Sequence, residues 1–74
     1  MSSNMIHATA IIAGGAQLGN EVAIGPYTII EENVEIGDGC QIASQALIAS
    51  GTRLGKNVKV HHGAVLGTIP QDLK

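Results

Sequence analysis

The sequence has almost no aromatic side chains and a single cysteine, so two common ways of stabilising a small domain are missing. Tyr27 is the only aromatic residue, and tryptophan and phenylalanine are absent. Cys40 is the only cysteine, which excludes a disulfide within the chain. Chains shorter than about 80 residues rarely build a sufficient core alone and use disulfides, a metal or oligomerisation instead. Oligomerisation is therefore the expected source of additional stability.

Charge is also scarce, and positive charge is not clustered anywhere. Charged residues make up 14% of the sequence and the net charge is −2, so no nucleic-acid partner is expected. The sequence has no apolar run long enough for a transmembrane helix. Residues 1–5 lack the apolar segment of a signal peptide and are interpreted as a disordered leader. A free cysteine suits a reducing cytoplasm, which is the expected location.

What the sequence does contain is an aliphatic residue at every sixth position. This register comprises Ile6, Ile12, Leu18, Ile24, Ile30, Ile36, Ile42, Ile48, Leu54, Val60 and Leu66. A mostly small residue follows four positions after each, namely Ala10, Ala16, Val22, Thr28, Val34, Cys40, Ala46, Thr52, Val58, Ala64 and Pro70. A spacing of six residues would distribute these side chains over three faces of an α-helix, whereas in a strand it places them all on one face. The repeat predicts an all-β solenoid over residues 6–71, with residues 72–74 as its C-terminal end. Both repeated positions are expected to point inward, so Cys40 is interpreted as a packing residue.

The last position of each hexad, five residues after the register aliphatic, has a longer period of three hexads. Every third one is aliphatic, giving Ile11, Ile29, Leu47 and Val65. The others are Gln17, Ala23, Glu35, Gln41, Arg53, Lys59 and Gln71. A period of 18 residues predicts a triangular coil with one hexad on each side. Glu35 and Arg53 are 18 residues apart, as are Asp38 and Lys56, so each pair should be neighbours of opposite charge on stacked coils.

The four outward aliphatic residues are expected to form a column on one side of the prism. We call Ile11, Ile29, Leu47 and Val65 the apolar column. Single apolar residues on a surface are normal, but an aligned set on one side is typical of an interface. A triangular prism with one apolar side suits a threefold assembly, although twofold symmetry is commoner overall. The apolar column is therefore predicted to be the interface of a homotrimer.

Several hexads have the form aliphatic-Gly-x-x-small-x, which resembles the hexapeptide-repeat acyltransferases. Ile24-Gly25-Pro26-Tyr27 has this form, and the opening hexad Ile6–Ile11, which has His7 at the glycine position, resembles the opening hexad of this family. The segment Leu66–Lys74, which ends in Gln-Asp-Leu-Lys, is more specific and resembles the UDP-N-acetylglucosamine acyltransferases of lipid A biosynthesis. This resemblance implies a left-handed parallel β-helix. The left hand follows from the resemblance alone, because crossover connections are usually right-handed.

The resemblance also implies an activity and a set of site residues. These acyltransferases are homotrimers that transfer a hydroxyacyl chain from acyl carrier protein to UDP-N-acetylglucosamine, in clefts between subunits and without a cofactor. Gln71, Asp72 and Lys74 correspond to the family's Gln-Asp-x-Lys segment and are the predicted substrate-binding residues. A carboxylate can hold a sugar hydroxyl, and a lysine can bind phosphate or carbonyl oxygens.

The histidines of this chain do not correspond to the family's general base, which lies several coils beyond Lys74. The chain alone is therefore expected to be inactive, because a hydroxyl needs a positioned base to attack a thioester. His61 and His62 are interpreted as solvated turn residues. A substitute base or a zinc site across subunits, as in trimeric carbonic anhydrases of this fold, are alternatives, although adjacent histidines point to opposite faces of an extended chain. A self-assembling structural module without activity is a further alternative.

Overall fold

A computed structural model describes residues 3–67, and these form a stack of short parallel strands without any helix. Each strand has two residues, the second being a register aliphatic. The strands are β1 Met5–Ile6, β2 Ile11–Ile12, β3 Gln17–Leu18, β4 Ala23–Ile24, β5 Ile29–Ile30, β6 Glu35–Ile36, β7 Gln41–Ile42, β8 Leu47–Ile48, β9 Arg53–Leu54, β10 Lys59–Val60 and β11 Val65–Leu66. Since the described residues contain no helix, none of them forms a helical membrane span.

The strands assemble into three parallel sheets, one for each side of a triangular prism. The first face has the order β1-β4-β7-β10, the second β2-β5-β8-β11 and the third β3-β6-β9. Each strand pairs with the strand three further along, so that Ile6 aligns with Ile24 and Ile24 with Ile42. The predicted coil of 18 residues and the parallel β-helix are confirmed. The left-handed sense of winding stays a prediction.

The core fills the centre of the prism with side chains from the two predicted inward positions. It comprises Val22, Ile24, Ile30, Val34, Ile36, Cys40, Ile42, Ala46, Ile48 and Val60. Ile24 and Ile42 are each 3% exposed, whereas Ile6 in the first coil is 43% exposed, because only one neighbouring strand covers it. Cys40 is fully buried and its thiol donates to the Gly55 carbonyl oxygen at 3.0 Å, so its predicted packing role is confirmed.

Side chains on one coil satisfy backbone N–H groups in the turns of the next. The Asp38 carboxylate accepts from the backbone N–H of Asn20 at 2.8 Å. The turns of Asp38 and Lys56 lie on stacked coils as predicted, with the Asn57 backbone N–H donating to the Asp38 carbonyl oxygen at 2.8 Å, but within the described part of the chain the two side chains form no ion pair. Arg53 and Glu35 do pair, at 3.7 Å, as predicted. Both side chains are at least half exposed, and such surface pairs stabilise by at most about 1 kcal/mol.

The first coil includes the last residues of the stretch 1–5 that the sequence predicted as a disordered leader. Met5 is part of β1 and aligns with Ala23 in β4. The Asn4 side-chain oxygen accepts from the backbone N–H of Val22 at 2.9 Å. The free edge of β4 therefore holds residues 4 and 5 in the solenoid, whereas the sequence predicted them in the disordered stretch 1–5. Residues 1 and 2 lie outside the described part.

The turns use the left-handed backbone conformation at the third residue after the register aliphatic. Residues at this position with positive φ are Glu21, Tyr27, Asn33, Gly39, Gln45, Gly51, Asn57 and Gly63. Glycine and asparagine suit this conformation, but it is uncommon for glutamate, tyrosine or glutamine. Gly19, Gly25 and Gly37, which directly follow a register aliphatic, serve another purpose, which is close approach between coils. A Cβ on Gly37 would lie 2.7 Å from the Gly55 carbonyl carbon.

Gly37→Ala is expected to destabilise the protein by roughly 1–3 kcal/mol, because the added methyl group forces stacked coils apart. Gly14→Ala is the matched control, since a Cβ there meets nothing within 4 Å and neither glycine has a positive φ. Both substitutions restrict the unfolded chain equally, so the difference between them reports the clash. Urea unfolding of the two variants measures it. Equal unfolding midpoints would contradict the close stacking of these turns.

Candidate functional site

The second face presents the apolar column in the predicted register. Ile11 aligns with Ile29, Ile29 with Leu47, and Leu47 with Val65. Ile11 is 64% exposed, Ile29 41% and Val65 56%, while Leu47 is half-buried. Their alternation with the buried Ile30 and Ile48 follows from the two-residue period of a strand. The sequence therefore places one continuous aliphatic stripe along a single face of the prism.

Two corners of the prism border this face. The first corner consists of the turns 7–10, 25–28, 43–46 and 61–64, which precede the strands of the second face. The second corner consists of the turns 13–16, 31–34 and 49–52, which follow those strands. The remaining turns, 19–22, 37–40 and 55–58, form the third corner, on the far side from the apolar column. A partner that covers the whole width of the second face therefore also reaches these two corners.

The first face is polar only in its later coils. Gln41 and Lys59 lie outward there, but Met5 is 74% exposed and Ala23 is its aligned neighbour. These two residues border an open hollow of about 580 Å³ at the start of the solenoid. The sequence analysis expected only the second face to be apolar, because it did not include Met5 among the outward residues of the first face.

His61 and His62 lie at the first corner, both exposed, in the turn that follows β10. They line one open hollow of about 410 Å³ together with Gln41 and Lys59. His7 occupies the equivalent position three coils earlier, where its Nδ1 lies 2.9 Å from Thr9 Oγ1. Their predicted location in a solvent-exposed turn is confirmed. Adjacent residues of an extended chain point to opposite faces, so the sequence did not suggest that His61 and His62 would border the same hollow.

The surroundings of these histidines do not favour a metal. Within residues 3–67, no three histidine, cysteine, aspartate or glutamate side chains are grouped to hold an ion. The nearest charged neighbour on the same hollow is the Lys59 ammonium group, which repels a cation. Zinc sites in proteins use three or four side-chain ligands. The histidine pair by itself supplies at most two, so a zinc site across subunits requires further ligands from a neighbouring subunit.

The predicted substrate-binding residues Gln71, Asp72 and Lys74 lie outside the described residues. The described chain ends at Gly67, which has a φ of 81° and directly follows β11 on the apolar face. Their assignment depends on the sequence alone.

Three further side chains at the corners stand out in the structure, and the sequence interpretation did not select them. Tyr27 is 65% exposed at the first corner with a φ of 58°. Glu31 and Glu32 lie at the second corner, where each carboxylate accepts a backbone N–H from a neighbouring coil. The available sequence signal was that Tyr27 is the only aromatic residue of the chain and sits in a turn that favours small residues.

Comparison with known proteins agrees with this architecture. The family described as Bacterial transferase hexapeptide (six repeats) matches residues 15–50 and 33–68. The chain is 43% identical, over its whole length, to the acyl-(acyl-carrier-protein)–UDP-N-acetylglucosamine O-acyltransferase of Rickettsia peacockii (strain Rustic). It is 46% identical, again over its whole length, to the enzyme of that name from Bartonella quintana (strain Toulouse). A third relative, from Thermodesulfovibrio yellowstonii, is 42% identical over 96% of the chain.

The chain covers 28%, 27% and 28% of these three proteins, respectively. It therefore spans slightly more than a quarter of the length of the curated relatives that it matches. The resemblance predicted from the hexads and from Leu66–Lys74 is confirmed by the names of these relatives. The two family matches together cover most of the described solenoid. On this evidence the chain belongs to the bacterial transferase hexapeptide family.

Proposed function

We propose that this chain forms the N-terminal coils of a cytoplasmic acyltransferase that moves a hydroxyacyl group from acyl carrier protein to UDP-N-acetylglucosamine in lipid A biosynthesis. The observation that carries the proposal is the 43–46% identity to acyltransferases of that name over all 74 residues. These alignments include the C-terminal Gln-Asp-Leu-Lys segment, which the resemblance assigns to the substrate. The parallel β-helix supplies the scaffold.

The proposed enzyme is a homotrimer that assembles through the second face. The exposed aliphatic side chains of the apolar column support this, because burying apolar surface favours association by roughly 25 cal/mol for each Å² removed from water. A rotational assembly through this face places β11, the last described strand, at the contact between subunits. A substrate cleft between subunits then has one wall from this chain and another from its neighbour.

Within that cleft, Gln71, Asp72 and Lys74 are proposed to bind the substrates. The Asp72 carboxylate accepts a sugar hydroxyl, the Gln71 amide provides both a donor and an acceptor, and the Lys74 ammonium group neutralises phosphate or carbonyl oxygens. These roles position the sugar nucleotide. They do not remove a proton from the attacking hydroxyl, which is the task of the family's histidine further along the solenoid.

The 74-residue polypeptide alone is expected to transfer no acyl groups above the rate without protein. His61 and His62 are exposed turn residues, and a general base must be held within hydrogen-bonding distance of the proton that it removes. The assay measures transfer of a hydroxyacyl chain from acyl carrier protein to UDP-N-acetylglucosamine, with the parent and with His61→Ala, His62→Ala and the control His7→Ala. Turnover in the parent that disappears in the His61 or His62 variant would overturn this expectation.

A further inference from the structure

The second corner contains an open hollow that borders the apolar column. The hollow has a volume of about 420 Å³. It is lined by Ile11, Ala13, Ile29, Ile30, Glu31, Glu32 and Ser50. Ile11 and Ile29 also belong to the apolar column, so this hollow is a lateral extension of the second face. Its floor is aliphatic and its outer rim is acidic.

The two carboxylates on the rim are held in place by the backbone. Glu31 Oε1 accepts from the Ser50 backbone N–H at 3.0 Å. Glu32 Oε1 accepts from the Gly15 backbone N–H, also at 3.0 Å. In each carboxylate these bonds use one oxygen, and the other keeps its capacity to accept. The hollow therefore combines an apolar floor with preorganised hydrogen-bond acceptors, which suits an aromatic ring that carries a hydroxyl group.

On the opposite edge of the same face, Tyr27 presents such a ring. It is 65% exposed, and its backbone N–H donates to Thr9 Oγ1 at 2.9 Å. Its φ of 58° is the regular conformation of this turn position, shared by Glu21 and Gln45, and is unusual for a bulky residue. Asn33 and Asn57 occupy the same turn position with the residue type that tolerates this conformation. Tyrosine is enriched at protein interfaces because its ring and its hydroxyl serve different contacts.

A rotational assembly brings these two features to the same place. When identical prisms are related by a rotation axis parallel to their own axes, the first corner of one subunit meets the second corner of the next. Pure rotation does not change the height along the solenoid. Tyr27 precedes Ile29–Glu32 by only a few residues, and each coil of 18 residues rises roughly 4.8 Å. The ring and the hollow of the next subunit therefore differ in height by only about 1 Å.

We propose that Tyr27 of one subunit docks into this hollow of the neighbouring subunit. The ring packs on Ile11 and Ile29, and the hydroxyl donates to Glu31 or Glu32. The occupant is a second copy of this chain, and the proposal rests on the rotational assembly of the proposed function. Tyr27 then serves as an anchor at the edge of the apolar column, in the way that buried aromatic residues dominate many interfaces. It also fixes the rotational register between subunits, because one ring fits one hollow.

Cross-linking between two single-cysteine additions tests the contact directly. Chains with Tyr27→Cys and chains with Ser50→Cys are mixed and treated with a short bismaleimide, while the buried Cys40 remains unreactive. The expected result is a cross-linked pair that needs both variants in the mixture. The control replaces Tyr27→Cys by Asn57→Cys, which has the same backbone conformation on the third corner, away from the apolar column. Equal cross-linking in both mixtures overturns the proposal, as does no cross-linking in either at a protein concentration at which sedimentation shows the Tyr27→Cys chains to be associated.

Association measurements provide a second, independent test. Tyr27→Ala is expected to weaken subunit association at least tenfold and Tyr27→Phe by a smaller factor, whereas Asn57→Ala leaves it unchanged. Sedimentation equilibrium over a range of concentrations gives these values. A Tyr27→Ala variant that associates like the parent, or a parent that stays monomeric, contradicts the proposal. Titration with UDP-N-acetylglucosamine is run in parallel. If the sugar nucleotide binds but the Tyr27 contact between subunits is absent, only the docking proposal is contradicted. If the Tyr27 contact is present but the sugar nucleotide does not bind, only the acyltransferase proposal is contradicted.

Discussion

Ile42→Ala should destabilise the protein by roughly 2–5 kcal/mol, the largest loss expected from one core substitution. Ile42 is 3% exposed and lies in β7, between Ile24 on one coil and Val60 on the next. A solenoid has no thick core in which neighbours rearrange to fill a cavity, so the space left by the side chain stays open. Denaturant unfolding, with circular dichroism as the signal, measures the loss.

The matched control is Gln41→Ala, at the preceding residue of the same strand. Gln41 is exposed on the first face, and its substitution should change the unfolding free energy by less than about 0.5 kcal/mol. The two residues differ only in which side of the strand they occupy. Equal losses at positions 41 and 42 would mean that the assignment of inward and outward positions is wrong throughout the repeat.

Ile29→Asp should abolish self-association while leaving the fold intact. Ile29 lies in the middle of the apolar column, 41% exposed in the single chain. In a packed interface the new carboxylate would be removed from water without a partner, at a cost of several kcal/mol in association free energy. In the separated chain it remains in contact with water, so unfolding should be little affected. Light scattering gives the molar mass of the parent and of the variant.

Gln41→Asp is the control for this substitution. It introduces the same charge at an equivalent outward position, but on the first face, beside Lys59. Its molar mass should match that of the parent. Loss of association in both variants would point to general charge repulsion, and an unchanged mass in Ile29→Asp would exclude the apolar column as the interface.

Most of the fold follows from the sequence because every hexad repeats the same pattern of inward and outward residues. The strand positions, the 18-residue coil, the apolar column and the Glu35–Arg53 pair all result from one period, which errors at single positions do not disturb. Cys40 was assigned to the core because it occupies an inward position, and the structure places it there. Periodic information of this kind is unusually reliable in solenoids, where each coil contacts only its neighbours.

The features that the sequence did not predict lie in the turns, where side chains form hydrogen bonds with backbone groups and single residues adopt unusual conformations. Asp38 was expected to pair with Lys56, but a backbone N–H at Asn20 competes for the carboxylate. The left-handed conformation of Tyr27 was not expected, because its residue type disfavours it. The candidate site divides in the same way: the apolar column follows from the period, whereas Gln71, Asp72 and Lys74 depend on family resemblance and lie beyond the described residues.

The most direct test of the proposed function is to locate UDP-N-acetylglucosamine on the protein by NMR. Amide shifts of the isotope-labelled chain are followed during titration with the sugar nucleotide, for the parent and for Asp72→Ala, with Asp38→Ala as a control on the third corner. The proposed function predicts that shifts are confined to residues 71–74 and the corners beside the apolar column, and that Asp72→Ala weakens them while Asp38→Ala does not. Shifts centred on the third corner, or none at millimolar ligand, would contradict it.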